Sequence, residues 1–149
     1  MKIIDKNKKV YFDYELEDKL EAGLVLVGSE VKSVRLGNVR IADSFCFIEN
    51  GEIYLKNCHI APYEKGSFFN HDSKRDRKLL LHKKEIAKLI GKMKTKGYSL
   101  VPTMIYLNKN LVKVEIALGI GKKQHDKRAT IKERDLIKEA NRAIANSKK

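Results

Sequence analysis

The chain has 149 residues, room for one core and one appendage, and a 42% hydrophobic content that is enough to fill that core. Its 32 Lys and Arg stand against 19 Asp and Glu, a formal charge of +13, which points to a polyanionic partner and above all to nucleic acid. No apolar run approaches the roughly 20 residues of a membrane span, and the polar N-terminus lacks the apolar segment of a secretory signal, so a cytoplasmic protein with no membrane role is expected.

Taken in chain order, Asp13 is placed to cap a helix over 14–20. Glu15 and Glu17 would lie in its first turn, where the helix dipole favours anions, and Gly23 just past its end. The apolar run 24–27 reads as a short strand buried on both faces. A second helix is predicted over 29–36, with Ser29 as cap and Gly37 as stop. Between Ile41 and Ile60, two runs rich in Phe, Ile, Tyr and Leu flank Asn50-Gly51, the dipeptide best suited to a type I′ turn. Phe45, Phe47, Ile53 and Leu55 alternate as strands with one buried face do. Residues 62–77 form a polar, solvated connection.

The most regular helix is 83–96, where Ile86, Leu89, Ile90 and Met93 recur at i, i+3, i+4 and i+7 and Gly97 ends the run. Runs 100–106 and 112–118 then alternate around Asn108-Lys109-Asn110 as a second hairpin. The chain is therefore mainly β, antiparallel hairpins with two or three helices. A small antiparallel β-barrel buries such strands without leaving edges open. An open sheet covered by the long helix is the competing arrangement.

After Leu118 the character changes. Gly119-Ile120-Gly121 breaks the strand pattern, and Lys122 to Arg128 is a basic cluster. Residues 131–145 favour helix, with Leu136, Ile137, Ala140 and Ile144 in a thin stripe. From 119 onward ten Lys and Arg meet four Asp and Glu, a net +6, while residues 1–118 carry +7. The expected organisation is a body of residues 1–118 and a basic tail of 119–149 that becomes helical mainly when bound to a partner.

Catalytic constellations are missing from the sequence. His59, His71, His82 and His125 are scattered without zinc-site spacing, and there is no nucleophile elbow or P-loop. Gly119-Ile120-Gly121-Lys122-Lys123 lacks the frame of a phosphate loop. The carboxylates Asp13, Glu15, Glu17 and Asp18 are better read as complements to a helix dipole than as a metal site. Cys46 and Cys58, without CxxC spacing, read as small buried hydrophobes of a reducing compartment. A monomeric, non-enzymatic protein with no cofactor and no metal is expected.

The features suited to RNA are stronger. Lys74-Arg75-Asp76-Arg77-Lys78 leads into Leu79-Leu80-Leu81. Guanidinium forks grip phosphates bidentately, and the apolar residues beside them can pack on sugars or bases. A solvated charge run before a core strand would give the same string. Lys32 and Arg35 share a helix face at i, i+3, an ordinary surface arrangement in itself. His125, set among Lys122, Lys123, Lys127 and Arg128, has a ring able to stack on a base while its neighbours hold phosphates.

Five strings then follow one another in a telling order and spacing: Asn7-Lys8-Lys9, Glu21-Ala22-Gly23-Leu24, the run Gly28-Ser29-Glu30-Val31-Lys32-Ser33-Val34-Arg35, the run from Arg75 to Leu81, and the run from Gly121 to Arg128. In them the chain resembles, over essentially its whole length, the SsrA-binding protein family (small protein B), the partners of transfer-messenger RNA in bacterial trans-translation. The resemblance implies an oligonucleotide-binding-like β-barrel that clasps the tRNA-like domain of transfer-messenger RNA. It also implies a tail that enters the decoding centre and vacant mRNA path of a stalled ribosome, in place of codon–anticodon pairing.

By that resemblance the RNA-clasping positions are Asn7, Lys8, Glu21, Glu30, Lys32, Arg35, Arg75, Arg77, Lys78 and Leu80. The decoding-centre and mRNA-channel positions are Gly121, Lys122, Lys123, His125, Asp126, Lys127, Arg128, Lys132 and Arg134, with residues 131–145 helical in the channel. Glu21 is an unusual residue to set against RNA; it would accept from a ribose hydroxyl or base amine, or hold a neighbouring Lys. Gly119 and Ile120 depart from the family's usual Ala and Lys. The alternatives are a ribosome-associated protein that recognises ribosomal RNA and, from another class, an RNA-processing enzyme.

Overall fold

The computed structural model describes residues 1–63, 70–94 and 97–122. In chain order its elements are β1 (Lys2–Lys6), α1 (Lys8–Asp13), β2 (Tyr14–Leu24), α2 (Gly28–Arg35), β3 (Val39–Arg40), β4 (Phe45–Glu49), β5 (Glu52–Lys56), β6 (His59–Ile60), β7 (Arg77–Leu80), α3 (Lys83–Met93), β8 (Tyr98–Asn108) and β9 (Leu111–Gly121). Both predicted hairpins form. Asn50 and Gly51 take φ of 51° and 75°, and Lys109 and Asn110 take 51° and 64°. Positive φ at both central residues is what a type I′ turn requires to match strand twist.

Seven strands form one antiparallel sheet in the order β1-β8-β9-β2-β7-β5-β4, and β3 pairs with β6 separately. The mainly antiparallel class with three helices is as expected. Between the two arrangements open from the sequence, hydrogen bonding gives an open sheet, because β1 and β4 at its ends do not pair. It is nevertheless curled, so that β4 comes to lie against β8. Asp5 on β1 accepts a hydrogen bond from the Ile41 N–H at 2.7 Å, tying the first strand to the segment between β3 and β4. Inside the curl lie Val34, Ile41, Ile53, Leu55, Leu79, Leu89, Leu100, Ile105, Val114, Ile116 and Leu118.

Several local expectations are corrected. The helix expected over 14–20 is the strand β2, and the helix lies just before it, at α1. Leu16, Leu20 and Ala22 alternate with exposed Glu15, Glu17 and Glu21, a period-two pattern that pairing with β9 rewards. Asp18, with φ of 53°, sits in the register shift between Glu17 and Leu20 and forms an ion pair with Lys92 of α3. The run 24–27 is not a buried strand, since Val25 and Val27 are exposed. Helix α2 is capped by Val27, not Ser29; the Glu30 carboxylate accepts from the Val27 N–H at 2.9 Å. On β4 the inward residues are Cys46 and Ile48, opposite Leu55 and Ile53, while Phe45 and Phe47 face out and Phe47 stacks on Tyr54. A one-residue change of register exchanges the faces of a strand, and the core here selects Cys46.

The strand pattern also does not break at Gly119. β9 runs on to Gly121, and the Lys122 N–H donates to the Asp13 carbonyl at 2.8 Å. A Cβ at Gly119 would lie 2.9 Å from Tyr14 Cδ1, so the glycine makes the space in which the Tyr14 ring rests on the strand. The basic run 74–78 ends in a strand, with Arg77 and Lys78 already in β7. Cys46 and Cys58 are free and buried, and burial raises the Cys58 thiol to about 11 and the Cys46 thiol further. The helix expected over 131–145 lies outside the described residues.

Candidate nucleic-acid interface

The exposed surface is positioned by a buried ionic knot. Arg77 on β7 and Glu30 in the first turn of α2 are both fully buried. Arg77 Nε donates to Glu30 Oε2 at 2.6 Å and Arg77 Nη1 to the Cys58 carbonyl at 2.5 Å. Its Nη2 reaches the Ser73 carbonyl at 3.2 Å. Arg75 completes the knot, its Nη2 donating to Glu30 Oε1 at 2.5 Å and to the Val25 carbonyl at 3.2 Å. One carboxylate with two guanidiniums and the Cys58, Ser73 and Val25 carbonyls thus joins β7, α2 and the segment between β2 and α2. Two of the positions that the resemblance sets against RNA, Glu30 and Arg77, therefore have no surface of their own. Asn7 is a third: it is buried, caps α1 by accepting from the Val10 N–H at 3.4 Å, and donates to the Pro102 carbonyl at 3.1 Å.

Burial opposes ionisation of Glu30, but hydrogen bonds from Arg75, the Val27 N–H and Arg77 outweigh it and hold the carboxyl below its ordinary value of 4.5. A carboxylate with a depressed folded-state pKa stabilises the protein above its unfolded pKa, and that contribution is lost as pH falls through the folded value. Urea unfolding at pH 7 and at pH 3 should therefore show a loss of stability on acidification that is smaller in Glu30→Gln. An equal loss in both proteins would place the acid-sensitive group elsewhere.

On the outer face, strand register brings the remaining residues together. Leu80 lies opposite Gly23, and Gly23 opposite Lys113. Leu80 is 54% exposed, high for a leucine beside a core strand, and Gly23 leaves room for it: a Cβ there would lie 3.3 Å from Leu80 Cβ. Lys78 shares this face two residues before Leu80 and lies 3.7 Å from Glu52. Glu21, two residues before Gly23, is exposed and accepts from the Tyr106 hydroxyl at 2.5 Å. Burial, together with the hydrogen bond to Glu21 and its charge, pushes the Tyr106 phenol well above its ordinary range, so it stays a donor and aims the carboxylate. The surface combines an apolar side chain, two ammonium groups and one oriented acceptor.

The other expected residues are placed as follows. Lys32 and Arg35 are exposed on α2; Lys32 Nζ lies 5.3 Å from the Tyr63 ring centre, and Arg35 donates to the Asn110 carbonyl at 3.2 Å. Lys8 is exposed on α1, and Gly121 and Lys122 close β9. Lys123, His125, Asp126, Lys127, Arg128, Lys132 and Arg134 lie outside the described residues. Sequence reasoning missed Tyr106 and Lys113; both lie on alternating strands, and only register places them beside Glu21 and Gly23. Among the described residues no group of His, Cys, Asp and Glu is placed to hold a metal, and no helix is long and apolar enough to cross a membrane.

Comparison with known proteins bears on this surface. Residues 4–146 match the family model described as SmpB protein. The chain is 53% identical over 144 residues to the SsrA-binding protein of Halothermothrix orenii, covering 97% of this chain and 93% of that one. It is 51% identical over 148 residues to the SsrA-binding protein of Bacillus subtilis, covering 99% and 95%. It is 57% identical over 135 residues to that of Thermoanaerobacter pseudethanolicus, covering 91% and 86%. A chain in a solved structure of tmRNA–SmpB and the bacterial ribosome superposes with a TM-score of 0.67 at 50% identity, over 80% of this chain and 85% of the other.

Proposed function

The chain belongs to the SmpB protein family, and from that premise we propose that it binds the tRNA-like domain of transfer-messenger RNA and delivers it to stalled ribosomes. The basic residues after Lys122 then take the place of codon–anticodon pairing at the decoding centre and in the mRNA path. The observation that carries the reading is the outer row Leu80–Gly23–Lys113 with Glu21 held beside it. Leu80 packs on an unstacked base or a ribose, while Lys78 and Lys113 meet phosphates. Glu21, aimed by Tyr106, accepts from a 2′-hydroxyl or an exocyclic amine, which backbone phosphates cannot supply. Asn7, Glu30 and Arg77 act as supports that fix the strands and α2 beneath this surface. The protein works in the cytoplasm by binding alone, without cleaving or modifying RNA.

Competition tests the specificity. The tRNA-like domain should displace labelled transfer-messenger RNA far better than unrelated structured RNAs or ribosomal RNA fragments of the same length. Equal displacement by all of them would leave a general ribosome-associated RNA binder. Turnover of any of these RNAs by repurified protein would mean an enzyme. Leu80→Asp should weaken binding by about 10- to 100-fold, the loss of one buried leucine of roughly 1.5–3 kcal/mol. Its circular dichroism should match the parent, because the side chain lies outside the core.

A further inference from the structure

The two-stranded sheet β3–β6 has no part in the row just described. Val39 pairs with Ile60 and Arg40 with His59. Ile60 belongs to the core and Val39 packs against it. Alternation therefore turns Arg40 and His59 to the other face, as direct cross-strand neighbours. With Gly37, Asn38, Val39 and Ala61 they line a shallow pocket of ≈ 280 Å³. Among the described residues no carboxylate lines it, and neither the Arg40 nor the His59 side chain makes a hydrogen bond or ion pair with another of them. A guanidinium and an imidazole set side by side at a cross-strand pair offer several N–H donors to one anion. Elsewhere among the described residues arginine is used: Arg35, Arg75 and Arg77 all donate to carbonyls or to Glu30. Among the described residues none accepts a hydrogen bond from the Arg40 side chain.

We propose that Arg40, His59 and the Asn38 amide form a second phosphate subsite, which takes a backbone phosphate of the bound RNA. A guanidinium fork, an imidazole and an amide are donors matched to phosphate oxygens. The pocket adjoins the C-terminal end of α2, where the Asn38 N–H donates to the Ser33 carbonyl and the Ser33 hydroxyl to the Ala61 carbonyl at 2.7 Å. Exposed Lys32 and Arg35 leave the same helix, so the pocket continues a line of cations along which a strand can run. The assignment of RNA rests on the function proposed above, while the capacity to bind phosphate does not.

The test uses the full chain and a variant with Arg40→Ala and His59→Ala together. In the first arm, affinity for the tRNA-like domain is measured across a salt series. The variant should bind about three- to tenfold more weakly, with a salt slope shallower by about one. In the second arm, inorganic phosphate is titrated while the Arg40 Nε–H and His59 ring resonances are followed by NMR; they should shift saturably in the parent. Shifts with phosphate but unchanged RNA affinity and slope would overturn the RNA assignment. No change in either arm would overturn the subsite itself. If the parent shows no preference for the tRNA-like domain, the main reading fails. A shallower slope for the variant on any RNA would still uphold the subsite.

Discussion

Arg77→Ala should lower the free energy of unfolding by about 3–5 kcal/mol, the cost of breaking a buried ion pair from one side. Domains of this kind have about 5–15 kcal/mol in total, so the variant should be partly unfolded at physiological temperature. The alanine removes both bonds to Glu30 and leaves the Cys58 and Ser73 carbonyls without their guanidinium partner. Arg77→Lys should recover little, because an ammonium group cannot fork to Glu30 and Cys58 at once. Urea unfolding of the free protein measures this directly. A loss below 1 kcal/mol combined with loss of RNA binding would instead place the Arg77 guanidinium on RNA and refute its role as a support.

The second large effect concerns the tail. Ending the chain after Lys122 keeps the last pairs of β9 and the Lys122–Asp13 bond, whereas ending it after Leu118 would strip Gly119–Gly121 from Leu16 and Tyr14. The shorter protein should unfold at the parent's urea midpoint. Affinity for the tRNA-like domain should fall only a few-fold, with a shallower salt dependence, since nine Lys and Arg are removed. Peptide tagging on stalled ribosomes should be abolished. If most affinity for the tRNA-like domain disappears with residues 123–149, the tail is the main clamp and the outer row of the sheet is secondary.

Where local chemistry decides, the sequence was legible. Asn50-Gly51 accepts positive φ at little cost and forms its turn; the 3.6-residue spacing of Ile86, Leu89 and Ile90 forms α3. The strings around Glu21, Glu30, Arg75 and Gly121 identified the family, because such combinations seldom arise by chance. Leu80, an apolar residue beside basic ones in the sequence, is exposed in the fold.

What was not legible depends on partners far along the chain. Residues 14–20 have helix-compatible residues and an apparent cap, yet pairing of Tyr14, Glu15, Leu16, Glu17 and Leu20 with β9, about a hundred residues later, makes them a strand. Glu30 and Arg77 lie 47 positions apart, and nothing local distinguishes an arginine locked in the core from one free to grip a phosphate. Glu21 is aimed by Tyr106 from 85 positions away.

The sequence by itself determined the charge, the turns, the regular helix and the family. Only the tertiary structure divided the charged residues into those buried to hold the sheet and α2 together and those left open to a partner. The reason is physical: ionisable groups reach the interior only where oppositely charged and carbonyl partners converge on them, and that convergence is a property of the assembled sheet.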